Sequence, residues 1–219
     1  MLNSPLLSRI NILLPILFFA QMVCGIHDIW AAESLDKPAH VTKSVEKITL
    51  DGIEYEIPPP WAGHQIQVQP FSFSDFGRIP FSYTVNDSKI YVLVSTHSPL
   101  LKMLRAANEQ GIRLQVSSGY RSIAYQRSIF KRMISEGRTF DDIIRYVAPP
   151  GYSEHMLGIA VDFYPSNWRF ASSEQYLWLT EHASDFGFRE TYHKSNEMKM
   201  PWEAWHWSLI RETEKSLRE

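Results

Sequence analysis

Two stretches of the chain gather side chains that could do chemistry. Residues 153–162 read SEHMLGIAVD and hold His155 and Asp162; residues 201–207 read PWEAWHW and hold Glu203 and His206. An extended chain over GIAVDFYP puts Ile159, Val161 and Phe163 on one face and Gly158, Ala160 and Asp162 on the other. The first is a core face. The second is nearly bare, with one carboxylate rising from it. A half-buried Asp must be paired, hydrogen-bonded or bound to a metal. His155 sits at the turn feeding this strand and can swing over the cleared surface, where Gly and Ala leave room for an ion and a substrate.

In WEAWHWSLI an extended chain points Trp205 and Trp207 one way and His206 and Ser208 the other. Glu203 precedes His206 by three residues, so a regular strand would carry it on the Trp face; it reaches the metal side only if the chain near Pro201 and Trp202 is still turning. Two His and one Asp supply three ligands and leave one position open, the arrangement of a catalytic zinc site rather than a closed structural one. The expected cofactor is one zinc ion, although this donor set accepts other divalent ions. Zinc lowers the pKa of a bound water to about 7. A carboxylate that is not a ligand, here Glu203, can take the proton and hand it to the leaving group. The expected reaction is hydrolysis of an amide.

Each signal has a plainer reading on its own. A lone His is more often an ordinary surface or core residue, and His27, His40, His64, His97, His182 and His193 are read that way. Arg121, in SGYRS, sits at a strand-to-helix turn where a planar charged fork suits an anionic centre, or where it pairs with an acid such as Glu181. Ser153 can cap the turn before His155, and Gln126 can be a solvated helix position. Trp202, Trp205 and Trp207 read as core and wall, with Trp202 able to line the cleft.

The elements that must position these groups read as follows. KITLDGIEYEI, within 47–57, is a hairpin turning at Asp51-Gly52, and PPPW stops the pairing. KIYVLVS is a strand. Ser98-Pro99 opens a helix through Gln110, striped by Leu100, Leu101, Leu104 and Ala107. IRLQVSS is a strand, IAYQRSIFKRMISE a helix closed by Gly137, and Thr139 caps FDDIIRYV. Ser172 opens SEQYLWLTEHASDF with Gln175 in a capping box, and FRETY and AWHWSLI are the last strands. Helices and strands mix without regular alternation over short connections. That is an α+β fold with a small, largely antiparallel sheet and flanking helices.

The 219 residues are 44% hydrophobic and 13% aromatic, which supports a packed core. The net charge of −2 carries no basic excess for a nucleic-acid partner. Arg9 precedes an apolar run of 14 residues, Ile10 to Val23, shorter than a spanning helix needs. Residues 1–32 are therefore read as a signal peptide or an N-terminal anchor, and the only membrane association expected is through that segment left uncleaved. The single cysteine, Cys24, lies in or beside it, so a mature chain has no disulfide and no thiolate ligand. Residues 33–97 are read as an N-terminal extension beginning with a loose linker to about 46, residues 98–210 as the catalytic domain, and 211–219 as a charged tail.

SGYRSIAYQ, PPGYSEHMLGIAVDF and WEAWHW, in this order, resemble the signature blocks of the VanY-type D-alanyl-D-alanine carboxypeptidases, zinc peptidases with an S-x-H-x-x-G-x-A-x-D pattern and a fold shared with hedgehog signalling domains. The resemblance spans about Ser98 to Ile210. It implies zinc on His155, Asp162 and His206, Glu203 as catalytic base, and Arg121 steadying the polarised carbonyl and its oxyanion. It also implies substrate contacts from Ser153, Gln126 and Ser118. Ala204 stands where many relatives have Pro and Ser208 where many have Arg, changes that bear on the tilt of the last strand and remove no ligand. The expected protein is an exported monomer of the periplasm or cell envelope that removes a terminal D-alanine from peptidoglycan stem peptides, by D,D- or L,D-cleavage. Two alternatives stand beside it: a peptidoglycan endopeptidase, and a non-catalytic, zinc-stabilised binding domain.

Overall fold

Asp51 and Gly52 both take positive φ, 50° and 81°, as a two-residue turn matched to strand twist requires. They join β1 (Lys47–Leu50) to β2 (Ile53–Glu56) in antiparallel register, Leu50 opposite Ile53. The computed structural model describes residues 45–68 and 70–210, which fall within one compact unit. The leader and anchor readings over 1–32, Cys24, the linker up to 44 and the tail 211–219 lie outside the described residues. Among the described residues no helix is long and apolar enough to cross a membrane.

The hairpin is not an appendage. Leu50, Ile57 and Trp61 pack with Phe130, Phe140, Ile143, Tyr152, Tyr192 and Met200 in a second core, and the Trp61 indole N–H donates to Ile144 O at 3.1 Å. Glu46, expected at the end of a loose linker, is held on both sides. Its carbonyl accepts from Ile57 N at 2.8 Å, and its carboxylate accepts from the Tyr152 hydroxyl and Gly63 N, each at 3.0 Å. Polarity alone gave no sign of these long-range partners.

β3 (Phe76–Arg78) pairs antiparallel with β4 (Tyr91–Leu93), and α1 (Val94–Glu109) follows directly. The helix therefore starts before Pro99, not at it, and the expected boundary between 97 and 98 runs through it. Proline's fixed φ is helical, and inside the second turn it deletes only the bond to Ser95 O. Fully buried Thr96, and the His97 ring donating to Arg78 O at 3.0 Å, anchor the turn before it.

The principal sheet has four antiparallel strands in the order β5 (Val116–Ser118), β6 (Ala160–Phe163), β8 (His206–Leu209), β7 (Phe188–Glu190). Leu100, Met103 and Leu104 of α1 pack with Val116, Val161, Phe163, Phe188 and Trp207 in the main core, joined by Trp178 and Leu179 of α4 (Glu174–His182). α2 (Ile123–Ser135) and α3 (Phe140–Ile143) belong to the second core. This is the α+β arrangement the sequence implies.

Two further helix ends differ from expectation. α3 stops at Ile143 rather than Val147, tightening into turns as the chain nears Pro149, which disfavours helix in the residue before it. The cap of α4 is Ser173, whose hydroxyl accepts from Tyr176 N at 3.1 Å. Ser172 instead ends a preceding 3₁₀ turn, Trp168–Ser172, so the capping box with Gln175 does not form.

Candidate metal centre

β6 and β8 are neighbours, and their register sets Asp162 opposite His206. Val161, Phe163 and Trp207 point into the main core, so Asp162 and His206 face the other way, both buried. His155 comes from a 3₁₀ turn, Glu154–Leu157, that ends at Gly158 with φ 66°. A Cβ on Gly158 would stand 2.8 Å from Leu93 Cγ, so both the backbone angle and the space call for glycine. The turn delivers His155 to Asp162 of β6, Nε2 to Oδ2 at 3.1 Å. The resulting ligand atoms of His155, Asp162 and His206 lie within 4.8 Å of one another.

The hydrogen bonds assign the ring nitrogens. His155 Nδ1 lies 2.7 Å from Gly119 O. A carbonyl only accepts, so the proton is on Nδ1 and Nε2 keeps its lone pair. That Nε2 is buried without a hydrogen-bond partner, 3.1 Å from Asp162 Oδ2. His206 Nδ1 lies 3.0 Å from Asp162 Oδ1, and its Nε2 3.1 Å from Glu154 Oε2. A buried lone pair with nothing to accept, beside a carboxylate and a second imidazole, is the donor set of a zinc-type ion, and the residues present fit one.

Charge is unevenly distributed over the cluster. Burial, aided by the Arg121 cation, pulls His155 down to about 4, so it is neutral. Burial would push Asp162 up, yet the adjoining His155 ring, the hydrogen bond from His206 and the Arg121 cation hold it well below the usual carboxylate range. Burial opposes charge on His206 too, but its bonds to Asp162 and Glu154 raise it to about 10. In the metal-free protein His206 thus carries the proton that an ion would replace. Glu203 is raised to about 7, chiefly by burial. Burial also lifts the Tyr192 hydroxyl well above its ordinary value, helped by Glu154 and Glu203, so it stays a donor.

A cavity of about 180 Å³ opens over the ligands, lined by Arg121, Gln126, Ser153, Tyr192, Glu203, Trp205 and, from the N-terminal segment, Trp61. The chain is still turning where Glu203 enters: Glu203 N donates to Tyr192 O at 3.0 Å, and His206 N donates to Glu203 O at 2.9 Å. Arg121 Nη2 lies 3.3 Å from Asp162 Oδ2, while Glu181 is exposed and near His182. Gln126 is buried; its amide donates to Ala148 O at 2.7 Å and its Oε1 has no partner. Ser153 stands immediately before the His155 turn, in the capping position, but its hydroxyl makes no cap bond. Ser118 pairs with Asp162 across the strands yet lines a neighbouring cleft with Tyr91, Tyr120 and Tyr125, which meets the ligand cavity only at Arg121. On the far side an aromatic groove with Trp168 and Trp202 continues from the cavity through Tyr146, Glu203 and Trp205. Sequence reasoning missed Glu154, Trp61 and Tyr192. Only Glu154 left a local signal, as the acid immediately before His155.

Residues 89–211 match the family model described as VanY, D-alanyl-D-alanine carboxypeptidase. The chain belongs to the VanY family. It is 32% identical over 138 residues to the YodJ protein of Bacillus subtilis, covering 58% of this chain and 50% of that one. It is 30% identical over 148 residues to a D-alanyl-D-alanine carboxypeptidase of Enterococcus faecalis, covering 60% and 54%. The chain thus spans about half the length of the curated relatives it matches. Among solved structures, the LdcB LD-carboxypeptidase superposes with a TM-score of 0.61 at 27% identity, covering 80% of this chain and 88% of that one. VanYB in complex with D-alanine-D-alanine gives 0.51 at 25%, covering 70% and 84%. The VanY match begins at residue 89, so β1, β2 and the Trp61 wall of the cavity lie ahead of it.

Proposed function

We propose that this protein is a zinc-dependent carboxypeptidase that removes a terminal D-alanine from peptidoglycan stem peptides. The observation that carries the reading is the meeting of His155, Asp162 and His206 within 4.8 Å, in a cavity that also holds Glu203 and Arg121. VanY membership and the likeness to structures named for an LD-carboxypeptidase and a D-alanine-D-alanine complex support the substrate class. A substrate of that kind lies outside the cytoplasmic membrane, which supports export, with the apolar run at 10–23 as leader or anchor.

A divalent ion on the three ligands supplies Lewis acidity and lowers the pKa of a water to about 7. The residues do the rest. Neutral His155 offers Nε2, and Asp162 stays ionised throughout the working range. Glu203, poised near 7, takes the proton of the attacking water and returns it to the departing amine. Arg121 stands at the edge of Asp162 and offers its remaining N–H groups to charge developing on the scissile carbonyl oxygen. Gln126 Oε1, buried and unsatisfied, accepts an N–H from the substrate; Ser153 lines the same wall. A pure binding domain has no use for an acid held near neutrality beside such a cluster.

An endopeptidase is the second reading, favoured by one feature: the ligand cavity continues into the Trp168–Trp202 groove on one side and, past Trp61 and Tyr192, into a cavity of about 370 Å³ on the other. The test is mass spectrometry of purified muropeptides, tetrapeptide and pentapeptide, after incubation with the protein. Loss of single D-alanine residues, abolished by a chelator and restored by zinc, is the expected result. Cleavage of cross-linked dimers without loss of terminal residues would establish the endopeptidase instead, and activity indifferent to chelation would overturn the metal reading.

A further inference from the structure

Glu154 is neither a candidate ligand nor a wall of the ligand cavity. Its Oε2 lies 3.1 Å from His206 Nε2 and accepts from the Thr191 hydroxyl at 2.8 Å. Thr191 Oγ1 also lies 2.7 Å from Ser208 Oγ. Thr191 has one hydroxyl proton and gives it to the carboxylate, so Ser208 must be the donor in the second bond. Thr191 and Ser208 are both buried. Ser208 faces Arg189 across β7 and β8, and the Arg189 charge also favours the ionised form of Glu154. The result is a directed line from Ser208 to Thr191 to Glu154, ending on the outer nitrogen of His206.

We propose that Glu154 is the positioning residue of the metal centre: it fixes the His206 ring and its tautomer so that Nδ1 faces Asp162 with a free lone pair. A neutral imidazole carries one proton and can place it on either nitrogen. A carboxylate at Nε2 accepts only, so it selects the Nε2–H form and leaves Nδ1 to the ion. The ring cannot rotate without breaking that bond at one end and the Asp162 contact at the other. His206 has no other acceptor at Nε2 among the described hydrogen bonds. His155 receives the same service from Gly119 O, so both imidazoles enter the site with their outer nitrogens pinned. The role rests on the metal reading above.

The test is zinc affinity of the full chain, measured by competition with a chromophoric chelator and so independent of activity. Glu154→Ala is expected to weaken binding about 10–100-fold. Glu154→Gln, whose amide oxygen still accepts from Nε2–H, should recover much of that loss. Long-range proton–nitrogen NMR of the zinc-loaded wild type should show His206 protonated at Nε2. Wild-type affinity in Glu154→Ala, equal losses in the Ala and Gln variants, or a proton on Nδ1 would each overturn the role. If Glu154→Ala does not fold, Thr191→Val decides: weaker zinc binding supports the line of hydroxyls, and unchanged affinity overturns it. A wild-type chain that takes up no zinc instead refutes the metal centre itself.

Discussion

Arg121 rests against Asp162, Nη2 to Oδ2 at 3.3 Å, so the guanidinium touches a candidate ligand and borders the substrate cavity at once. Its charge helps keep both Asp162 ionised and His155 neutral. Replacing it by Ala should lower kcat by about 10²–10³-fold, the usual loss when one donor to a developing oxyanion goes. Zinc content should stay near one ion per chain, because no ligand is removed. Peptide release and metal content measured on the same preparation separate the two effects. Parallel loss of zinc and activity would make Arg121 a support of Asp162 alone.

Glu203→Gln keeps the size of the side chain and removes its capacity to take a proton. Hydrolysis should fall by about 10²–10⁴-fold with zinc affinity preserved. In the wild type Glu203 works as a base only when ionised. Burial raises it to about 7, and a bound cation pulls it back down, so the acid limb of kcat/KM should lie at or below about 7. A pH profile of D-alanine release checks this, and an acid limb above neutrality would exclude Glu203 as the base.

Much of this site was legible because its geometry is local. Alternation along GIAVDF is enough to separate Val161 and Phe163, which enter the core, from Asp162, which enters the cavity. The spacing of Glu203 and His206 already demanded the turn that the chain makes there. Asp51-Gly52 announced its hairpin by turn chemistry. What was not legible depends on distant partners. Glu154 reads as an ordinary exposed acid until Thr191 and His206, 37 and 52 residues away, close around it. Trp61 sits in a Pro-rich stretch, and its indole bond reaches across 83 residues to Ile144. The start of α1 was misplaced because Pro99 looks like a first residue, while the buried Thr96 that anchors the earlier turn carries no pattern.

Zinc uptake should release protons. At pH 8.5 the metal-free His206, raised to about 10, is still charged, whereas His155 and Glu203 have already lost theirs. Binding should then release about two protons per ion, one from His206 and one from the water whose pKa falls to about 7, read by calorimetry in buffers of differing ionisation enthalpy. The same raised value sets the pH dependence of the chelated protein. His206 holds its proton in the fold and loses it at about 6.5 when unfolded. Its contribution to stability is complete below that pH and is lost as pH rises toward about 10. Thermal melting of the chelated protein should show that decline; release of only one proton at pH 8.5 would mean that His206 is not displaced.

Gly158 carries the connection between the two halves of the motif, and Ala is the smallest change that tests it. At φ 66° an L side chain costs roughly 1–2 kcal/mol. The added Cβ would also meet Leu93 Cγ at 2.8 Å and Leu93 N at 3.2 Å, and the backbone contact cannot swing away. Leu93 N is itself bound to Gly158 O at 2.9 Å, so relief of the clash pulls on the join between β4 and the His155 turn. Gly158→Ala should therefore lower stability in urea by about 2–4 kcal/mol and weaken zinc binding, since His155 is displaced relative to Asp162 on β6. Gly52→Ala has positive φ but nothing within 4 Å of the new carbon, and it lies far along the chain from the ligands. It should lose stability from the backbone angle alone and bind zinc as tightly as the wild type. Equal zinc affinity in both variants would show that the turn tolerates the distortion without moving His155.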